Sequence, residues 1–282
     1  GWHDWYIGST TRDLGVTTDG KRFRHKFQYN DLDSLENLLR THKGKFAAVI
    51  MEPMNVEWPK KGYLKKVAQL ARSHGALLIF DETITGFRFN LSGAQKYFNV
   101  TPDIATFGKG IANGFPLSVL TGKRKYMKLV EEIFFSGTFG GETVSIAAAI
   151  AVINKYKKKN VISKLKVQGE KIIEGTNKLI KKHNLSEHIS ISGHPSWSFI
   201  NFDSKKNLNP FELKTLFLQE VFSRGIYMLG SHNLSYSHTD RDINQLLKCY
   251  DNVFPILHDA LKSGNINKKL RCKPLKPLFK VR

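Results

Sequence analysis

Two short apolar runs, residues 46–51 and 76–80, enclose a segment with helical spacing, and this arrangement constrains the fold of the chain more than any other feature. Leu64, Val67, Leu70 and Ala71 fall on one face of the enclosed segment, Arg72 and His74 sit in its last turn, and Gly75 supplies the usual helix ending. Strand, helix, strand with unbroken apolar character in both strands predicts a parallel sheet covered on both faces. In open sheets of this kind ligands gather beyond the carboxyl ends of the strands. Glu52 and Asp81 stand at those ends. Residues 103–107 and 117–121 supply two more short strands, with Gly108-Lys109-Gly110 in the connection, and further strands are expected before residue 1.

The remaining pattern is mixed. Residues 1–29 read as irregular, and 31–40 as a helix opened by Asn30 or Asp31. Residues 144–156, rich in Ala and Ile, predict a buried helix leading out of a first domain, and a polar junction follows at 157–160. Beyond it, 161–183 is amphipathic, 189–191 and 196–202 resemble strands, and Asn209-Pro210-Phe211-Glu212 opens a helix that ends at Gly225. Residues 239–261 carry a clean helical face of Ile243, Leu246, Leu247, Tyr250, Phe254, Leu257 and Leu261. The expected division is therefore 1–156, part of a large α/β domain, and 157–282, a smaller α+β domain with a basic tail at 278–282.

Charge leaves a rival reading open. With 44 Lys+Arg against 24 Asp+Glu, the net charge of +20 is the footprint of a nucleic-acid-binding protein. The lysines are scattered, however, and the dense runs (155–159, and Lys178 with Lys181 and Lys182) lie in helix-like segments, which suits solvated faces better. Cys249 and Cys272 lack metal or disulfide spacing, so no metal site is expected and a reducing, cytoplasmic setting is. No apolar run approaches the roughly 18 residues of a membrane span. The opening Gly1-Trp2-His3-Asp4-Trp5, without an initiator Met, reads as the interior of a longer chain.

Taken singly, Asp81 is a helix cap and Lys109 one lysine of many. Together they place a carboxylate and an amine at strand ends that can return to one sheet edge. That pairing suits pyridoxal phosphate, whose ring nitrogen takes a carboxylate and whose aldehyde takes a lysine. Glycines on both sides of Lys109 would let the cofactor approach the backbone. Phe80-Asp81-Glu82, Thr85-Gly86-Phe87-Arg88, Pro102-Asp103 and Phe107-Gly108-Lys109-Gly110 together resemble the signature of class III aminotransferases, pyridoxal-phosphate enzymes of fold type I. The subgroup that looks most similar includes glutamate-1-semialdehyde aminomutase and its relatives in surface-polysaccharide and amino-sugar biosynthesis. Trp2-His3-Asp4-Trp5, Ser136-Gly137-Thr138-Phe139 and Ser237-His238-Thr239 extend the resemblance over the whole chain.

The resemblance implies a transaminase taking an amino group from an amino acid donor to a keto or aldehyde acceptor, with an intramolecular aminomutase as the alternative. Lys109 would carry the cofactor and shuttle a proton, and Asp81 would hold the ring nitrogen protonated. Thr138 would bind the cofactor phosphate of a neighbouring subunit, making a homodimer; read alone, Thr138 is a turn residue among glycines. Three departures stand out. Thr83 replaces the usual aliphatic residue beside the ring. Gly230-Ser231-His232 lies where the aminomutases carry an acidic residue. The phosphate-gripping turn and the ring-stacking aromatic belong upstream of Gly1, so little or no activity is expected of residues 1–282 alone. Glu52 is a candidate to orient a site group or to pair with a basic neighbour. Arg88 suits a substrate carboxylate or a structural ion pair, and His232 is a candidate substrate contact.

Overall fold

The computed structural model describes residues 4–18, 22–203 and 209–277. Trp2 and His3 of the N-terminal motif, and the tail from 278 onward, lie outside them; Asp4 and Trp5 open a one-turn helix α1 (Asp4–Ile7). Helix α2 (Leu32–Thr41) begins where Asp31, in extended backbone, accepts the Ser34 N–H at 3.1 Å. There follow β1 (Ala48–Met51), α3 (Tyr63–Ser73), β2 (Leu77–Asp81), α4 (Gly93–Tyr97), β3 (Ile104–Phe107) and β4 (Val119–Gly122). These strands form one sheet in the order β1-β2-β3-β4, the first three parallel and β4 antiparallel to β3.

Burial explains why the sheet settles in this register. Val49, Met51, Leu78 and Phe80 point to one face and pack on Leu35 and Leu39 of α2 and Val67 and Ala71 of α3. On the other face of the sheet Ile50 of β1 and Leu120 of β4 are partly exposed among the described residues, at 37% and 45%.

After a short helix α5 (Arg124–Met127) comes α6 (Thr143–Lys158), capped by Glu142, whose carboxylate accepts the N–H groups of Val144 and Ser145 at 2.7 and 2.8 Å. The predicted burial of this helix is corrected. Only Ser145 and Ala149 are buried, on the stripe facing Ile111 and Ala112, whereas Val144 and Ile150 are more than half exposed at 57% and 56%. A helix apolar all round needs a partner on every side. Within the described residues this one has a partner on a single side.

The second half builds on α7 (Val161–Lys182) and an antiparallel sheet of β5 (Ile189–His194), β6 (Trp197–Phe202) and β7 (Ser231–Asn233), with α8 (Pro210–Phe222), α9 (Asp240–Ser263) and the short α10 (Ile266–Lys269). Asn209 caps α8 ahead of Pro210 as the sequence predicts, and Thr239 with Asp242 forms a reciprocal capping box on α9. Leu213, Phe217, Tyr250, Phe254 and Leu257 make its core. Gly169 lets α7 lie against the β5–β6 turn: a Cβ there would come within 1.8 Å of the Pro195 carbonyl oxygen. Gly169→Ala is therefore expected to destabilise the protein by at least about 2 kcal/mol in urea denaturation, as overpacking against backbone does; an unchanged midpoint would contradict this close contact.

Candidate active site

Parallel register gathers the chemistry at one edge. Met51 pairs with Phe80, so Glu52, just past β1, comes level with Asp81 at the end of β2, and Asp81 pairs with Thr106 of β3, three residues before Lys109. The Glu52 carboxyl accordingly feels both Asp81 and Lys109. Asp81 Oδ1 accepts the Thr83 N–H at 2.9 Å and the Thr106 hydroxyl at 3.3 Å, while Oδ2 takes no hydrogen bond among the described residues. Lys109 opens a one-turn 3-10 helix, Lys109–Ile111, with φ of 45°, a left-handed conformation that costs a non-glycine residue about 1 kcal/mol or more. Burial of Ile111 and Ala112 against Ala149 anchors that turn. The Lys109 side chain is exposed, and its amine has no ion pair or hydrogen bond among the described residues.

The glycines around Lys109 have different tasks. A Cβ on Gly108 would press on the Thr83 methyl at 3.2 Å, so Thr83 packs directly beside the turn, whereas nothing lies closer than 3.9 Å to such an atom on Gly110. In front of Glu52 and Asp81 opens a cleft of about 550 Å³, also lined by Tyr6, Tyr29, Asn55 and Glu57.

Behind the edge lies a residue whose role the sequence did not single out. Glu82 is fully buried, accepts the Thr85 hydroxyl at 2.9 Å and the Gln95 N–H at 2.9 Å, and also takes the Ala94 N–H. Its carboxylate thus closes the loop from β2 to α4 and caps that helix. Gly93 is required there, because a Cβ would lie 2.5 Å from the Glu82 carboxylate, and Gly86 because a Cβ would lie 2.5 Å from the Phe107 ring. The sequence signal that could have revealed Glu82 is a carboxylate followed, past a turn, by a Ser-Gly helix start.

The remaining candidates are placed elsewhere. Arg88 donates from Nη1 to the carbonyls of Ser196 at 2.8 Å and Leu234 at 3.2 Å, tying the loop after β2 to the β5–β6 turn and to the end of β7; burial lowers its pKa. It meets carbonyls there, not the carboxylate of an ion pair. His232 is buried inside the second half, with Nδ1 against the Ser198 hydroxyl at 2.9 Å and Nε2 against the Tyr250 hydroxyl at 2.8 Å, and burial lowers its pKa to about 4. Both ring nitrogens are committed, so the structure does not bring it to the Asp81–Lys109 edge. Thr138 stands exposed in the loop before α6. His194, which the sequence did not flag, stacks on Phe89 at 3.9 Å between ring centres beside Trp58, whose indole donates to Gly193 at 3.2 Å; these contacts join the two halves.

A family model of class-III aminotransferases matches residues 14–243. The chain belongs to this family. It is 34% identical over 252 residues to the 3-aminobutyryl-CoA aminotransferase of Cloacimonas acidaminovorans, covering 86% of this chain and 60% of that protein. To glutamate-1-semialdehyde 2,1-aminomutase 2 of Lachnoclostridium phytofermentans it is 35% identical over 253 residues, covering 83% and 59%. The structure of Sphingopyxis FumI protein in its PLP internal aldimine form superposes with a TM-score of 0.84 at 25% identity, over 93% of this chain and 64% of that one. The chain thus spans about 60% of the length of the curated relatives it matches. The resemblance carried by the Asp81 and Lys109 motifs is borne out, as is the α/β fold.

The residues present fit pyridoxal phosphate, the cofactor of this family. A carboxylate oxygen and an amine, neither hydrogen-bonded among the described residues, stand at neighbouring strand ends, beside a β-branched side chain and an open glycine. Among the described residues no group of three or more His, Cys, Asp or Glu is placed to hold a metal, and no helix is long and apolar enough to cross a membrane. Because Glu82 satisfies buried backbone donors that nothing else reaches, Glu82→Ala is expected to cost about 3 kcal/mol, read from chemical denaturation. A loss below about 0.5 kcal/mol would show that water or another group satisfies those donors.

Proposed function

We propose that the protein carrying this chain is a pyridoxal-phosphate-dependent transaminase that moves an amino group from an amino acid to a keto or aldehyde acceptor, of a sugar or small acid, in the cytoplasm. The observation that carries this reading is the pair of unpartnered groups, Asp81 Oδ2 and Lys109 Nζ, at adjacent strand ends of a parallel sheet. When bound, the cofactor supplies an electron sink for the bond-breaking at the substrate's amino carbon. Asp81, fixed through Oδ1 by Thr83 and Thr106, would hold the ring-nitrogen proton with Oδ2. Lys109, in its left-handed turn, would carry the cofactor and move the proton to and from the substrate carbon. Thr83, beside that turn, would help hold the cofactor. In this reading the division expected at residues 156 and 157, which falls in the last turn of α6, separates the cofactor domain from a smaller one, and Arg88 ties them together.

Similarity to an aminomutase of 35% identity favours a second reading, in which the same residues move the amino group within one substrate. Supplying an amino donor and a keto acceptor as separate molecules divides the two. A new aminated product supports the transaminase, and turnover confined to a single aminoaldehyde supports the mutase.

The active unit in this reading is a homodimer. Phe134, Phe135 and Phe139 are exposed at 96%, 75% and 75% in the loop before α6, and a cluster of exposed aromatic side chains suits burial against a partner. Thr138 is exposed in the same loop, and in this reading it would bind a neighbouring subunit's cofactor phosphate. Phe135→Glu is expected to shift the sedimenting species from dimer to monomer, and an unchanged dimer would remove this surface from the interface.

Borohydride treatment of the cofactor-loaded protein is expected to fix one label on Lys109, and Lys109→Ala to abolish it. A label mapped to another lysine by peptide mass analysis would overturn the assignment.

A further inference from the structure

We propose that Glu52 is a positioning residue for Asp81: it carries a proton beside Asp81 and so confines the negative charge of the pair to the carboxylate that faces the cofactor ring. This rests on the cofactor reading above and adds a residue to it. The geometry comes from the register. Met51 opposite Phe80 brings Glu52, just past β1, level with Asp81 at the end of β2, and strands so paired run about 4.8 Å apart. Both line the same cleft. The charge of Asp81 disfavours ionisation of a second carboxyl facing the same cleft.

The surroundings of the two carboxyls differ. Asp81 accepts two hydrogen bonds on Oδ1, from the Thr83 N–H and the Thr106 hydroxyl. Glu52 accepts one, from Asn55 Nδ2 to Oε2 at 2.8 Å. The groups facing Glu52 are Asp81 from β2, Lys109 from the turn after β3, Tyr6 of α1, and Tyr29 ahead of α2. Tyr29 is committed to the Pro53 carbonyl at 2.8 Å, and burial first, then Tyr63, Glu57 and Glu52 in turn, raise its pKa, so it stays neutral. Burial, then Asp81, push the Glu52 carboxyl up to about 7, against the opposing pull of Asn55 and Lys109. Raised in the fold, the proton on Glu52 stabilises the native state below its ordinary titration range. That contribution is lost as pH rises through about 7.

The test compares wild type, Glu52→Gln and Asp81→Asn, each with and without added pyridoxal phosphate, from about pH 6 to about pH 8. Infrared difference spectra read the protonated carboxyl, and the absorbance of the bound cofactor reads the charge beside its ring. In wild type the carboxyl band is expected to disappear and the cofactor spectrum to shift over the same pH interval. Glu52→Gln, neutral at every pH, should show neither change and keep its cofactor affinity at pH 6 within about threefold of wild type. Asp81→Asn should weaken that affinity at least about tenfold. The proposal is overturned if Glu52→Gln retains the spectral transition, if wild type shows no protonated carboxyl at pH 6, or if Glu52→Gln loses the cofactor as severely as Asp81→Asn. A wild-type protein that takes up no pyridoxal phosphate overturns the cofactor reading, and the role of Glu52 with it. A bound cofactor with a pH-insensitive spectrum overturns the role of Glu52 alone.

Discussion

The site depends on the parallel register of β1, β2 and β3. Side chains alternate along a strand, so a slip of one residue would turn Asp81 from the cleft toward the helices. Burial holds the register: Leu78 and Phe80 are completely enclosed. Asp103 adds a polar lock. Its Oδ2 accepts the Leu78 N–H at 2.9 Å, and its carboxylate pairs with Lys123 and with Arg72, the latter at 3.4 Å. Burial would raise its pKa, but Lys123, the Leu78 N–H and Arg72 together hold it below the ordinary carboxylate value, so the lock is lost when acid reprotonates it. The lock sits at the start of β3 while Lys109 follows its end, so one strand transmits the constraint.

Three neighbouring carboxyls near this edge serve three purposes because their surroundings differ. Glu82 faces inward and satisfies backbone donors at the start of α4. Asp81 faces the cleft with one oxygen anchored and one unpartnered. Glu52, one strand away, is shaped by burial and by Asp81 itself. Residue type alone does not separate these roles; direction and partners do. The same holds for the basic residues, since Arg88 is spent on two carbonyls that join the halves of the chain while Lys109 makes no hydrogen bond or ion pair among the described residues.

Apolar surface without cover recurs on one face of the sheet, on α6, and in the loop that carries Thr138. The chain spans about 60% of the length of its curated relatives, and its strands and helices are patterned for more neighbours than the described residues supply. Apolar runs that look like core in a sequence record the burial a segment requires in its full setting. They do not say which part of the assembly provides it.

The order of strand, helix and strand was legible because apolar runs and helical spacing are local, and the capping residues Asp31, Asn209 and the glycine after α3 act within a few positions. The Asp81 and Lys109 motifs were legible for the same reason: each is a short string at a strand end. What only the tertiary structure decided is long-range. It commits Arg88 to Ser196 and Leu234, both more than a hundred residues away, encloses His232 between Ser198 and Tyr250, and brings Glu52 level with Asp81. A sequence fixes local hydrogen-bonding and burial preferences, whereas the charge and direction of a buried side chain depend on groups that meet only when the sheet register and the packing of the two halves are set.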